Sequence, residues 1–441
     1  MDTARRLFHR FDSWIERPRW KGEHPFDWSP RAVTEEELAG AVDRLDAWVT
    51  SKKWRGYDPF DLKSLALYRK TKWMPDDAGV GTKLLRYILY KGESVYPVQM
   101  RRLFLIKERM NPKGIGLFAH AYCLLARLYP DNTDYPAKGE ECLDWLVRNR
   151  LRQYHGACWG YPFDWESIIP IPEDTPSAVV STTVGAAFLE WYLYSGKEEY
   201  LEICRSICDF LLGDLYIDHA SDDSLCFSYT PIDRYHVHNA NLMAAAFLTR
   251  TGTILKNDEL IDAARKAVNY TVKEQLADGS FFYWGPPSDR DYSLRKEQYE
   301  LVDHLHTGYV LRALHSIYNI TGDAEILESI QKGFSFYIEK LFENEFTPMR
   351  HLKSLYPVDI HFCAEAILSL TDLDDLFPGS RERATVVAAW LIEHFQDRDG
   401  FFYAAMRSND FQRIPYMRWG QAWTLLAFSS LLGKMRGGSG Q

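Results

Sequence analysis

Two short stretches set an aspartate and a histidine where an apolar run is about to begin. "LVDHLHTGYVL" (301–311) carries Asp303, His304 and His306, and "PVDIHFCAEAIL" (357–368) carries Asp359 and His361. A carboxylate and an imidazole so placed can hand a proton to and from a reacting group. Two carboxylates can flank a glycosidic bond, and a gap of about 6.5–9.5 Å between them implies inversion. Asp303, His306, Asp359 and His361 together offer four oxygen and nitrogen ligands for a divalent ion, although their spacing matches no known metal motif. Each residue also has a structural reading. Asp is a preferred helix N-cap, and a histidine in apolar surroundings is commonly a satisfied core residue.

The surrounding loops add to the inventory. "GACWGYPFDWESIIPIPEDTPS" (156–177) supplies Trp159, Tyr161 and Asp164, and "CFSYTPIDRYHVHNAN" (226–241) supplies Tyr229, Asp233, Arg234, His238 and Asn241. Tyr356 precedes the second Asp/His pair, and "RWGQ" (418–421) contributes Arg418 and Gln421. For proton transfer beside a sugar carboxylate, His238, His306, His361, Tyr229 and Tyr356 are the candidate bases. Arg234 or Arg418 would clamp the carboxylate. The number of His and Tyr residues favours that chemistry over hydrolysis by Asp303 and Asp359. The expected catalytic set is therefore Asp303, His306, Asp359, His361, His238 and Tyr229. Arg234, Asn241, Arg418, Gln421, Trp159, Tyr161, Asp164 and Tyr356 are expected to bind substrate.

What positions these residues is a repeat. Six apolar, small-residue-rich segments recur at 116–129, 177–194, 239–252, 306–322, 361–373 and 418–433. Amphipathic segments at 137–152, 198–212, 258–275, 324–342 and 380–396 lie between them, and 96–109 is read as a sixth. Short turns such as "YSGKEE" and "NITGDAE" join each apolar helix to the next amphipathic one, whereas the return loops are long. Helices that are apolar nearly all round must be surrounded, and those with one wet face must lie outside, so six such hairpins close into a ring. All the long loops then open on one side, at the N-termini of the inner helices, as a single cup. Capping requires only one short polar residue per helix, so it does not explain the aromatic, Arg, His and amide residues gathered there.

In this pattern the chain resembles the (α/α)6 toroid of the six-hairpin glycosidase superfamily, which includes unsaturated glucuronyl hydrolases, sugar epimerases, polysaccharide lyases and the helical domain of glucuronyl C5-epimerases. The resemblance covers residues 96–433 and rests on architecture. It implies an all-α toroid and a carbohydrate-active enzyme working on a uronic-acid-type, anionic saccharide, with short strand pairs in loops such as "GSFFYWG" and "GFFYAAM". Residues 1–95 are expected to be a helical extension packed on the ring, with helices near 34–49 and 79–90, and 434–441 a flexible tail.

Composition bounds the alternatives. The chain has 441 residues, 46% of them hydrophobic, enough for a large core, and its net charge of −9 offers no basic field for nucleic acid. The N-terminus lacks the apolar stretch of a secretion signal, and no run is long enough to span a membrane, so a cytoplasmic location is expected. Seven irregularly spaced cysteines are read as reduced thiols. No cofactor is expected, with a divalent metal as the minor reading. "QLADGSF" (275–281) and "DLDD" (372–375) resemble motifs of terpenoid cyclases, which share the toroid. Phe281 stands where their tryptophan is expected, and the cup is too polar for a hydrocarbon. A non-catalytic helical-hairpin scaffold is the remaining class, distinguished by polar groups spread outward over a broad face rather than converging in a pocket.

Overall fold

The computed structural model describes residues 25–72, 80–167, 169–285, 300–352 and 354–437. Fifteen α-helices follow in chain order among them. They are α1 (Glu35–Ser51), α2 (Ala66–Lys72), α3 (Val80–Val95), α4 (Pro97–Leu103), α5 (Pro112–Leu128), α6 (Asp134–Arg148), α7 (Ala178–Ser195) and α8 (Glu198–Gly213). The remainder are α9 (His238–Leu255), α10 (Asp258–Lys273), α11 (His304–Thr321), α12 (Ala324–Lys340), α13 (Ile360–Asp372), α14 (Ser380–Phe395) and α15 (Trp423–Met435). Helices α5, α7, α9, α11, α13 and α15 each pack on the next, and α15 returns to α5, so they form a closed inner ring. The fold is an (α/α)6 toroid.

The inner helices are buried along almost their whole length, as the apolar segments require. Small residues set how near they come. A Cβ on Gly116 of α5 would lie 3.1 Å from the Cα of Val184 in α7, and one on Gly308 of α11 would lie 2.8 Å from Glu365 Cγ and Ser369 Oγ of α13. Larger side chains at either position would push two inner helices apart.

Helices α6, α8, α10, α12 and α14 sit outside their inner partners as the hairpin pattern dictates. The sixth outer position is filled differently from the expectation. It is held by α1, which packs on α15, and not by 96–109. Leu38, Ala41, Val42, Leu45 and Val49 give α1 one apolar face, and a Thr34/Glu37 capping box fixes its start. Asp46 on the same helix accepts from Tyr122 Oη at 2.8 Å and pairs with Lys138 Nζ at 2.6 Å, tying α1 to the first hairpin as well. α1 thus closes the ring against α15 and the first hairpin.

The 96–109 stretch becomes α4 and a loop. With α2 and α3 it folds around a small separate core of Leu62, Tyr68 and Leu89, and this unit lies against the loop face of the ring. Upstream, Pro25 O accepts from Trp390 Nε1 and the Phe26 ring stacks on Trp390. The helix near 79–90 is α3. Residues 1–24 and 438–441, including half of the expected tail, lie outside the described residues.

The strands are short and confined to the loops. In chain order they are β1 (Trp165–Glu166), β2 (Pro170–Ile171), β3 (Ile217–Ser221), β4 (Ser224–Phe227), β5 (Val358–Asp359), β6 (Ala405–Met406) and β7 (Phe411–Gln412). β1 pairs with β2, β3 with β4, and β6 lies between β5 and β7, all antiparallel. "GFFYAAM" thus contributes β6, whereas "GSFFYWG" makes, among the described residues, a single bridge between Val237 and Trp284. No helix among the described residues is long and apolar enough to cross a membrane.

Candidate functional site

A cavity of about 660 Å3 opens on the loop side of the ring, within the about 300–1,000 Å3 range of small-molecule sites. Asp303, His306 and Asp359 line it, with Arg350 between the two inner-helix starts and the aromatic rings of Phe60, Tyr90, Tyr416 and Trp419 on its walls. Lys63 and Glu93 reach it from the α2–α4 unit.

Both aspartates are N-caps, so the structural reading holds for each. Asp303 Oδ1 accepts the His306 amide at 2.8 Å, and Asp359 Oδ1 accepts the His361 amide at 2.8 Å. Their remaining oxygens differ. Asp303 Oδ2 lies 2.6 Å from His306 Nδ1, a contact that orients the imidazole with its Nε2 edge away from the carboxylate. Asp359 Oδ1 also accepts Trp419 Nε1 at 2.8 Å, which leaves Oδ2 without a hydrogen bond among the described residues.

These surroundings push the two carboxyl groups apart. Burial pushes Asp359 up to about 6, against the weaker pull of the His361 amide, the Trp419 indole and the Arg350 charge. Burial acts on Asp303 in the same direction, but the adjacent His306 imidazole and the His306 amide outweigh it and hold this carboxyl below the usual range. One cavity therefore presents a carboxyl that holds its proton towards neutral pH beside one that sheds it readily.

The other expected residues do not join them. His361 turns into the ring, where Nε2 meets Tyr309 Oη at 2.7 Å and the imidazole lies between Trp419 and Trp423. Burial, with the nearby Lys113 and Arg418 charges, holds it well below the usual histidine range. His238 packs outward against Tyr270 and Phe281 with Nδ1 3.3 Å from Thr271 Oγ1, and burial lowers it to about 3. Only a crevice of about 10 Å3 lies between His238 and the Asp303–His306 pair. The four ligands of the metal reading do not converge, because His361 faces Tyr309, and no group of three or more His, Cys, Asp or Glu among the described residues is arranged to hold a metal ion.

Arg418, expected as a carboxylate clamp, is committed elsewhere. Its Nε and Nη2 reach Asp58 Oδ2 and Oδ1 at 2.6 and 2.8 Å, a bidentate pair buried beneath the rings of Phe60 and Tyr161. Arg234 is exposed and lies over the Tyr216 ring, outside the lining of the cavity. Tyr229 and Tyr161 share a hydrogen bond, and burial raises both hydroxyls.

The amides and Trp159 are structural. Asn241 accepts the Phe227 amide and donates to Ala267 O, Gln421 accepts from and donates to the Phe402 backbone, and Trp159 Nε1 donates to Leu146 O. Asp233 accepts the Tyr229, Thr230 and Tyr235 amides of its own turn. Asp164 accepts the Glu173 amide and pairs with Arg69 at 3.0 Å, and Tyr356 packs on Phe26.

Sequence reasoning missed Trp419, Arg350 and Asp58. Trp419 stands between two residues that were singled out, and a π-helical turn at Met417–Ala422 explains why all three diverge. The widened turn aims Arg418 at Asp58, Trp419 at the cavity and Gln421 at Phe402. Asp58 is 360 residues away in the chain and carries no local signal. "QLADGSF" is a turn in which Gln275 donates to Gly279 O and Asp278 accepts from Ser280. Asp372 and Asp375 of "DLDD" pair with Arg312 and His315 at the far end of α11 and α13.

No family model and no curated protein matches the sequence. Solved structures do match in fold. An unsaturated glucuronyl hydrolase specific for heparin aligns over 91% of this chain and 97% of its own, at 12% identity and a TM-score of 0.59. A family 76 glycoside hydrolase, an α-mannanase of Bacteroides thetaiotaomicron, aligns over 74% and 86% at 12% identity and a TM-score of 0.58. The cellobiose 2-epimerase of Spirochaeta thermophila aligns over 74% and 87% at 12% identity and a TM-score of 0.55. At such identities the likeness is one of architecture, and the chain has the (α/α)6 toroid fold of the six-hairpin glycosidase-like proteins.

Proposed function

We propose that the protein is a carbohydrate-active enzyme that hydrolyses a glycosidic bond in the 660 Å3 cavity, with Asp359 as general acid and His306, oriented by Asp303, as general base. The observation that carries this reading is that one cavity is lined by Asp359, whose Oδ2 makes no hydrogen bond among the described residues, and by His306, held by Asp303 Oδ2 at 2.6 Å, while burial raises the Asp359 carboxyl. Pairs of titratable groups pushed apart by their surroundings mark acid and base roles. Asp359, protonated below about pH 6, delivers its proton from Oδ2 to the leaving oxygen. His306 takes a proton from the attacking water, and Asp303 holds its ring in one tautomer. Trp419, Phe60 and Tyr416 offer flat apolar faces for sugar rings. The converging polar groups favour an enzyme over a binding scaffold.

Proton transfer at a ring carbon, as in C5-epimerases and lyases, is the second reading. One observation favours it: the Asp303–His306 pair is built like the general base such a reaction needs. Against it, His238, His361 and Tyr229 are packed away from the cavity, and neither Arg418 nor Arg234 lines it. Incubation with oligosaccharides in deuterated water, followed by NMR, separates the two. A new reducing end without ring deuterium supports hydrolysis, whereas deuterium at a ring carbon or an unsaturated product supports proton transfer.

A further inference from the structure

The inner helices are buried nearly all round, yet some of them carry a stripe of half-buried residues. Met243, Ala246 and Arg250 follow one another at three- and four-residue spacing on α9, as do Arg312 and Ser316 on α11. That spacing puts each set on one helix face, and both faces look into the hole of the ring. All six inner helices line a cavity of about 250 Å3 there. It shares no lining residue with the 660 Å3 cavity. Tyr309 and Trp423, near the starts of their helices, form its inner end, whereas Arg250 and Asp372, near the ends of theirs, stand at its mouth. Their side chains are 27% and 30% exposed, so the cavity opens on the turn side of the toroid, away from the long loops.

The body of this cavity is apolar, with Leu117, Phe247 and Leu426 on its walls beside the Tyr309 and Trp423 rings. Its cationic groups converge. Arg250, Arg312 and His120 all line it, and both arginine charges act on the His120 imidazole. Each has donors to spare. Among the described residues Arg250 uses Nη2 alone, on Glu190 Oε1 at 2.6 Å, Arg312 uses Nε and Nη1 on Asp372 and Glu365, and His120 makes no hydrogen bond. The carboxylates are also outnumbered. Arg127 and Arg250 share Glu190, and burial pushes Glu365 up to about 7 against the pull of Arg312. Three guanidinium groups therefore face two full negative charges and one partial charge near neutral pH. Helix C-termini oppose an anion, but that effect is confined to the last turn, and Arg250 and Arg312 both stand more than a turn inside their helices.

We propose that the cavity in the hole of the ring is a second ligand site, for a small carboxylate with an apolar body, whose head lies between Arg250, Arg312 and His120 and whose body rests on Phe247, Tyr309 and Trp423. An apolar pocket with a few converging polar groups is the usual build of a small-molecule site, and a volume just below the about 300–1,000 Å3 range selects a compact ligand. The site goes beyond the glycosidic reading and does not depend on it. Burial, together with the Arg250, Arg312 and Arg127 charges, lowers His120 to about 4. The imidazole is thus neutral at pH 7.5 and offers the carboxylate one N–H, while the guanidinium groups supply the charge.

The test uses the full chain and titration calorimetry at pH 7.5 with phenylacetate, hexanoate and, as the uncharged match, phenylacetamide. At least one carboxylate is expected to bind about ten-fold or more tightly than the amide, because a charge-assisted contact is added to the same apolar ones. Arg250→Gln should cut that preference by about five-fold or more, while Glu190 keeps Arg127 as its partner. Ala246→Phe fills the hole from α9 and should abolish binding of all three probes. Ser316→Leu fills it from α11, should weaken them about ten-fold, and decides the matter if the first variant does not melt cooperatively. Arg350→Gln, in the loop-side cavity, should leave binding unchanged. No binding of any probe, no preference for a carboxylate, or a preference unchanged in Arg250→Gln overturns the proposal. So does binding that survives the filling variants, or that is lost in Arg350→Gln.

Discussion

Trp419 donates its indole N–H to Asp359 Oδ1 at 2.8 Å, the same oxygen that caps α13 by accepting the His361 amide. One carboxylate oxygen thus carries both structural bonds and the other is left to the cavity. Division of labour within a single side chain lets a helix cap keep one oxygen for the role of acid proposed above.

Trp419→Phe removes a bond that favours the charged form of Asp359 and leaves a flat ring in place. The Asp359 carboxyl should then rise further above about 6. The expected outcome is an alkaline limb of the kcat profile displaced to higher pH, read from rates between pH 4 and 9. A limb that stays where it is, or moves down, contradicts the assignment of Asp359 as the acid.

Asp359→Asn should lower kcat by about 10²–10⁴-fold, the usual range for a lost general acid. Asn is as good an N-cap as Asp, so the helix should survive. The stability effect has a definite sign. A carboxyl whose folded pKa is raised binds its proton more tightly in the folded state, so its contribution is fully present below the unfolded value near 3.8 and is lost as pH rises through about 6. The Asn variant, which carries no charge, should therefore melt about 2 °C or more above the unmodified protein at pH 8 and show no such gain at pH 4.

His306→Ala and His361→Ala should diverge. The first removes the proposed base from the cavity and should cut kcat by about 10²–10⁴-fold at little cost in stability. The second takes a buried ring from between two tryptophans and strands the Tyr309 hydroxyl, so it should lower the melting temperature clearly. Calorimetric melting and steady-state kinetics on the two variants decide it.

Arg418→Met should destabilise the protein by about 3–5 kcal/mol, since it leaves the Asp58 carboxylate buried without its partner. Asp58→Asn in the same chain should recover much of that loss. Urea unfolding of both single variants and the double variant measures the coupling. Additive losses contradict a structural pair.

The repeat can be read from the residues alone. Helices α5, α7, α9, α11, α13 and α15 are legible because burial on every side demands apolar residues throughout. Their outer partners are legible because one wet face demands a 3.6-residue stripe. Asp303 and Asp359 were legible too, since an N-cap is a local signal. What lay beyond it was non-local. The α1 stripe looks like that of any outer helix, and only the closure of the ring assigns it to the sixth position. Arg418 meets Asp58 across 360 residues, and nothing near either one announces the other. His306 on α11 faces the cavity, whereas His361 on α13 faces Tyr309. A one-residue difference in spacing, three residues after Asp303 against two after Asp359, turns the two imidazoles through about 100° relative to one another on a helix of 3.6 residues per turn. The pattern of residue types is nearly the same in both stretches, and the packing of the ring gives them different neighbours.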